Sequence, residues 1–161
     1  MKKDKMKKEN KKQVILIATG GTGGHIFPAL SIISQQKFDR YLIITDKRGE
    51  NYFTKFLDKK NINAQMYVQK VISPSQKLII NKFISLFYFG ISFLKSIILV
   101  IKHQPDVAIG FGGYPSISPI LAAKFFGIDI IIHEQNAVIG RANKLLSHIA
   151  NLVALSFKDT K

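Results

Sequence analysis

Residues 14–30 read VILIATGGTGGHIFPAL, and the three parts of this stretch decide the fold. Val14 to Ala18 are five apolar residues with β-branched members, too short for a helix and apolar on both faces, which predicts a strand buried on both sides of a sheet. Thr19-Gly20-Gly21-Thr22-Gly23-Gly24-His25 follows as a glycine-rich turn, and a helix is predicted from residue 27 with Pro28 near its first turn. Glycine lets backbone approach a ligand closely, and the helix behind it aims free N–H groups and the positive end of its dipole at the same point. Such a turn suits an anionic or hydroxyl-rich ligand, with a turn that binds nothing as the alternative. A dinucleotide fingerprint would place glycines at 21, 23 and 26, but position 26 is Ile26; a phosphate-binding P-loop would continue with Gly-Lys-Ser/Thr, and His25 stands there instead. Neither nucleotide template fits.

Working outward, apolar runs alternate with helical periodicity along the whole remaining chain. Strands are predicted at 14–18, 41–45, 64–68, 106–110, 128–132 and 152–155, with helices at 27–36, 51–60, 77–102, 116–126 and 140–149. This βα alternation predicts an α/β fold, a Rossmann-like parallel sheet with helices on both faces. Gly110-Phe111-Gly112-Gly113-Tyr114-Pro115-Ser116 is a second glycine loop at a strand's carboxyl end, and His133-Glu134-Gln135-Asn136 ends the fifth strand in the same layer. Ligands of open α/β sheets bind along that edge, so the two glycine loops should converge on one crevice. Asn136 offers both a donor and an acceptor for sugar hydroxyls. For His133 and Glu134 the favoured reading is structural, tying neighbouring loops together. Asp46 has two readings, a ribose contact or, in preference, an ordinary strand-end aspartate.

Composition limits the partners. The 161 residues hold 24 Lys+Arg against 10 Asp+Glu, a formal charge of +14, which calls for an anionic partner: nucleic acid, lipid headgroups or a phosphorylated substrate. Seven lysines fall in MKKDKMKKENKK, so residues 1–12 read as a disordered basic tail and 13–161 as one domain. Nucleic acid is set aside because no aromatic-interleaved basic sheet or recognition helix is evident. There is no cysteine, which excludes disulfides and thiolate metal sites, and no acidic cluster has metal-ligand spacing. Residues 77–102, KLIINKFISLFYFGISFLKSIILVIK, are the most apolar part of the chain. The longest uncharged run, Phe83 to Leu94, is 12 residues against the roughly 20 of a spanning helix. An interfacial helix is favoured, with Phe83, Phe87 and Tyr88 entering lipid and Lys77 and Lys82 at the headgroups; a core helix and a spanning helix are the alternatives.

TGGTGGHIFPAL, GFGGYPS and HEQNAVIGRANKLL, in this order and at these separations, resemble the lipid II-forming N-acetylglucosaminyltransferases of glycosyltransferase family 28, over roughly residues 13–157. The resemblance implies the N-terminal, acceptor and membrane-side half of a GT-B fold, with the C-terminal donor domain absent from these residues. It implies inverting transfer of GlcNAc from UDP-GlcNAc to lipid I, at the cytoplasmic face of the bacterial cell membrane and peripherally bound, with no metal and no cofactor. His25 would be the catalytic base; Thr22, Gly23 and Gly24 would line the donor and pyrophosphate end of the cleft; Asn136 would contact the donor sugar; and Gly112, Gly113 and Tyr114 would belong to the substrate-binding loop. SISPI after GFGGYPS departs from the small residues many relatives carry there. A separately encoded C-terminal domain is an implied partner. The rival readings are a non-enzymatic acceptor-binding or membrane-anchoring subunit, or a truncated remnant.

Overall fold

The computed structural model describes residues 12–35, 37–71 and 79–160, and from 79 to 82 the backbone only. The basic tail and Lys77 therefore lie outside the described residues, as does the side chain of Lys82. Six strands, β1 (Val14–Ala18), β2 (Arg40–Thr45), β3 (Ala64–Val68), β4 (Val107–Gly110), β5 (Asp129–Glu134) and β6 (Leu152–Leu155), form one wholly parallel sheet in the order β3-β2-β1-β4-β5-β6. Parallel neighbours need crossovers, supplied by α1 (Gly23–Ser34), α2 (Lys47–Lys60), α3 (Ile79–His103), α4 (Ile117–Phe125) and α5 (Arg141–Ser147).

Side-chain alternation along the central strands builds two cores. Ile15 and Ile17 of β1 pack with Tyr41 and Ile43 of β2 against Ile26, Ala29 and Ile33 of α1 and Phe53 of α2. Leu16 and Ala18 point the other way, with Leu42 and Ile44, onto Leu99, Val100, Ile120, Ala123 and Leu146 from α3, α4 and α5. Every residue of β1 is at most 5% exposed, and full burial of each such aliphatic side chain stabilises by about 1.5–3 kcal/mol. The fold expectation is met.

Several boundaries moved, and three of the shifts have a clear local reason. Helix α1 begins at Gly23, four residues early, because the Thr22 carbonyl accepts from both His25 N and Ile26 N; Pro28 is then its sixth residue, and Gly23, Gly24 and His25 are helical. Helix α2 begins at Lys47 because the Asp46 side chain caps it, accepting from Arg48 N at 3.0 Å and Gly49 N at 3.2 Å. Asp46 is thus the strand-end aspartate that sequence preferred. Strand β5 runs on through Glu134 because β6 pairs with it as far as Leu155.

Helix α3 sets Ser92, Ser96, Leu99 and Val100 inward while Phe83, Leu86, Phe87, Leu94, Ile98 and Ile101 stay exposed. The segment Phe83–His103 is long and apolar enough to cross a membrane by length and composition, yet one face is seated against α4 and the core. A buried polar cluster fixes that seat. Gln69, just past β3, donates to Ser96 Oγ at 3.0 Å and accepts from Ser92 Oγ, which in turn lies 2.6 Å from Ser118 Oγ of α4.

Candidate functional site

The strand order reverses between β1 and β4, and the two glycine loops leave the sheet side by side at that point. Gly20 N donates to the Gly112 carbonyl at 2.8 Å, so the loops are hydrogen-bonded to each other as well as adjacent. A Cβ on Gly113 would lie 2.9 Å from Gly20 Cα, and Gly112 and Gly113 have φ of +95° and +79°. Both facts require glycine: one leaves no room for a side chain, the other is a backbone that L residues rarely adopt.

His25 rests on this glycine floor. A Cβ on Gly112 would meet His25 Cδ2 and Nε2 at 3.1 Å and Asn143 Nδ2 at 3.2 Å. At its other nitrogen, Nδ1 lies 2.6 Å from the Thr22 hydroxyl, which leaves helix capping to hold the ring. With Nδ1–H donating to Thr22, Nε2 keeps its lone pair over the crevice. Burial lowers the His25 pKa below its ordinary 6.5; Glu134 opposes that shift, Arg48 reinforces it, and Asp46 opposes it. The ring is therefore neutral near pH 7 and able to accept a proton.

Glu134 is fully buried and serves four donors. Its Oε1 accepts from Asn136 N at 2.9 Å and Asn136 Nδ2 at 2.8 Å; its Oε2 accepts from Gly140 N and Asn143 Nδ2, both at 2.9 Å. Burial pushes its pKa up, but the bonds from Gly140, Asn143 and Asn136 outweigh that and hold it below the usual carboxylate value. Here the structural reading of Glu134 holds: it folds the 135–140 loop onto β5 and presents Asn136 at the edge. Asn136 donates one Nδ2 hydrogen to Glu134, which leaves its second N–H and Oδ1 for a ligand. His133 has its Nε2 3.4 Å from the Ser156 hydroxyl and its ring beside Phe111, so it links β5 to the chain after β6.

The remaining expected residues divide into two places. Thr22, Gly23, Gly24, His25, Gly112, Gly113 and Tyr114 lie on or beside the two glycine loops joined by the Gly20–Gly112 bond, with Thr22 and Gly24 exposed and Tyr114 half-buried in a 3-10 turn. Phe83, Phe87 and Tyr88 lie on α3. Phe83 and Phe87 are about two-thirds exposed, 66% and 67%, whereas Tyr88 is half-buried beneath Lys70, whose Nζ is 3.2 Å from its hydroxyl. Sequence reading missed Leu94, Ile98, Ile101 and the exposed Phe125–Phe126 pair as members of the apolar surface. The i, i+4, i+7 spacing of Leu94, Ile98 and Ile101, two turns on from Phe87, was the available signal. Asn143 was also missed, since a polar residue on a short helix carries no mark of the buried bonds it makes to Glu134 and the His133 carbonyl.

A Rossmann-like domain with paired glycine loops, a neutral histidine on the first helical turn and a polar β5 edge is the N-terminal half of a GT-B architecture. The chain belongs to glycosyltransferase family 28: the model described as "Glycosyltransferase family 28 N-terminal domain" matches residues 15–155. It is 39% identical over 147 residues to a Wolbachia pipientis (strain wPip) protein and 41% identical over 152 residues to one from Rickettsia prowazekii (strain Madrid E). Both are named UDP-N-acetylglucosamine–N-acetylmuramyl-(pentapeptide) pyrophosphoryl-undecaprenol N-acetylglucosamine transferase. These matches cover 91% and 93% of the chain but only 39% and 37% of the relatives, so it spans about two-fifths of their length. Among solved structures, Acinetobacter baumannii MurG superposes with a TM-score of 0.71 at 29% identity, covering 94% of this chain and 43% of that one. A UDP-GlcNAc 2-epimerase from Neisseria meningitidis, at 16% identity and a TM-score of 0.64 over 91% of this chain and 40% of that one, shares the fold.

Proposed function

We propose that this chain is the acceptor-side half of an inverting glycosyltransferase that moves GlcNAc from UDP-GlcNAc to the lipid-linked MurNAc-pentapeptide acceptor, lipid I, giving lipid II. The observation that carries this reading is His25: neutral, fixed by Thr22, and seated where the two glycine loops cross. In the reaction His25 Nε2 removes the proton from the acceptor's 4-hydroxyl as that oxygen attacks the anomeric carbon. The bond from that carbon to the UDP oxygen breaks and UDP leaves on the opposite face. Thr22 holds the ring at Nδ1, Nε2 is the basic atom in the tautomer whose Nδ1–H donates to that hydroxyl, and Gly112 and Gly113 keep side chains away from the ring. Thr22, Gly23, Gly24 and Asn136 contribute one wall of the donor site. The second wall comes from a C-terminal domain, in the same polypeptide or as a separate one.

The exposed face of α3 with Phe125 and Phe126 supports peripheral attachment to the cytoplasmic membrane surface, where a lipid-linked acceptor resides. Transfer of labelled GlcNAc to lipid I tests the reading, with the chain mixed with the C-terminal half of the Rickettsia relative. Lipid II formed by the mixture, and lost in His25→Ala, is the expected result. No transfer by the mixture, with acceptor-containing membranes still bound, would establish the anchoring-subunit reading instead.

A further inference from the structure

Beside the catalytic crevice, at the carboxyl ends of β2 and β3, lies a second cavity of about 540 Å³ that the reaction scheme above does not use. Lys47, Arg48 and Lys70 line it, with Val68 and Val71 as apolar wall and Asp46 as the one acid among its lining residues. Lys47 is paired with Glu50 of α2 at 2.5 Å, so Arg48 and Lys70 are the cations that make the cavity basic. The anion is already engaged: Asp46 caps α2 and holds the Arg48 guanidinium by Nε at 3.1 Å and Nη2 at 2.6 Å. That grip orients the guanidinium and leaves Nη1 outside it, on a side chain 66% exposed.

Its position matters more than its charge. On one side the cavity abuts the first glycine loop, since a Cβ on Gly21 would strike Asp46 Oδ1 at 2.0 Å and Arg48 Cβ at 2.5 Å. On the other side it reaches α3, because Lys70 Nζ stands 4.7 Å above the Tyr88 ring, and Tyr88 in turn packs edge-on against exposed Phe87. The cavity therefore bridges the apolar face of α3 and the histidine crevice. Resting on the acceptor-side reading above, we infer that this basic cavity binds the diphosphate of the lipid-linked acceptor. The relatives' acceptor, by its name, joins a sugar to undecaprenol through a pyrophosphoryl group. A molecule built so, with its lipid at Phe87 and its sugar at His25, must place a multiply charged diphosphate between them. Arg48 and Lys70 meet that charge from two sides, and Val68 and Val71 face the first carbons of the lipid.

Bulk anionic headgroups offer the same phosphate chemistry, so the test separates the two sources. Binding of the full chain is measured on neutral phosphatidylcholine vesicles doped with undecaprenyl diphosphate, and on vesicles matched in charge with phosphatidylglycerol. The wild type should prefer the diphosphate vesicles by about tenfold, as one or two charge-assisted hydrogen bonds give. Lys70→Ala, at an exposed position, should erode that preference with thermal unfolding unchanged, while binding to phosphatidylglycerol stays within about twofold. Arg48→Lys, which keeps the charge but loses the fork, should erode it too. No preference in the wild type, or equal loss on both vesicle types in the variants, overturns the assignment. The transfer assay is independent of this one: no transfer with the preference intact removes the enzyme reading and leaves the diphosphate site, and the converse removes only the site.

Discussion

At the scale of single residues, His25 is the proposed proton acceptor, and Glu134 is an architectural residue held by four donors. His25→Ala in the reconstituted two-domain enzyme should lower turnover by about 10²-fold or more, read by steady-state transfer to lipid I, because a general base supplies that much. The pH profile carries a second sign. Only the neutral ring accepts a proton and burial lowers its pKa from 6.5, so kcat/KM should hold level at neutral pH and fall only once the pH drops below 6.5. Glu134→Gln would set an amide NH2 among four donors, and about 2–4 kcal/mol of stability should be lost in urea unfolding. The pH sign here follows from a folded pKa held below the ordinary 4.5. The carboxylate's stabilisation is complete above that value and is lost as pH falls through the folded one, so the wild type should weaken in acid more steeply than Glu134→Gln.

Among the elements, α3 has one buried face and one exposed apolar face. Its inner face is tied to β3 and α4 by the Gln69, Ser92, Ser96 and Ser118 cluster, and an apolar helix without such bonds could slide against α4 at little cost. Ser92→Ala removes the hydroxyl that bridges Gln69 Oε1 and Ser118 Oγ, leaving only their 3.4 Å contact, and should cost about 1–3 kcal/mol by thermal or urea unfolding. The outer face should behave oppositely. Phe87→Asp and Leu94→Asp sit at 67% and 62% exposure, so stability should hold. Co-sedimentation with anionic vesicles should weaken by about tenfold for each, as expected for losing one large apolar side chain from the interface. Unchanged co-sedimentation in both variants would remove α3 from the membrane surface.

For the whole molecule, Thr22, Gly24 and Asn136, at the carboxyl edge of the sheet, are exposed. These 161 residues by themselves should show no micromolar binding of UDP-GlcNAc by calorimetry and no transfer, since a single wall neither excludes water nor surrounds the leaving diphosphate. Much of this molecule was legible in its sequence. VILIA had to be a doubly buried strand because nothing in it can face water, and the βα alternation then fixed a parallel sheet and its crossover helices. TGGTGGH and GFGGYPS were legible as one site because strand ends in such a sheet share an edge. What tertiary structure decided is every relation between side chains distant in the chain: His25 lying on Gly112, Glu134 held by Asn143, Lys70 standing over Tyr88, and which flank of α3 faces outward. Periodicity states that a helix has two faces, but only the packing of α4 against one of them determines which is left exposed. In the same way, a carboxylate's neighbours within hydrogen-bonding distance are set by how β5 and α5 meet, and no local pattern in HEQNAVIGRAN encodes that distance.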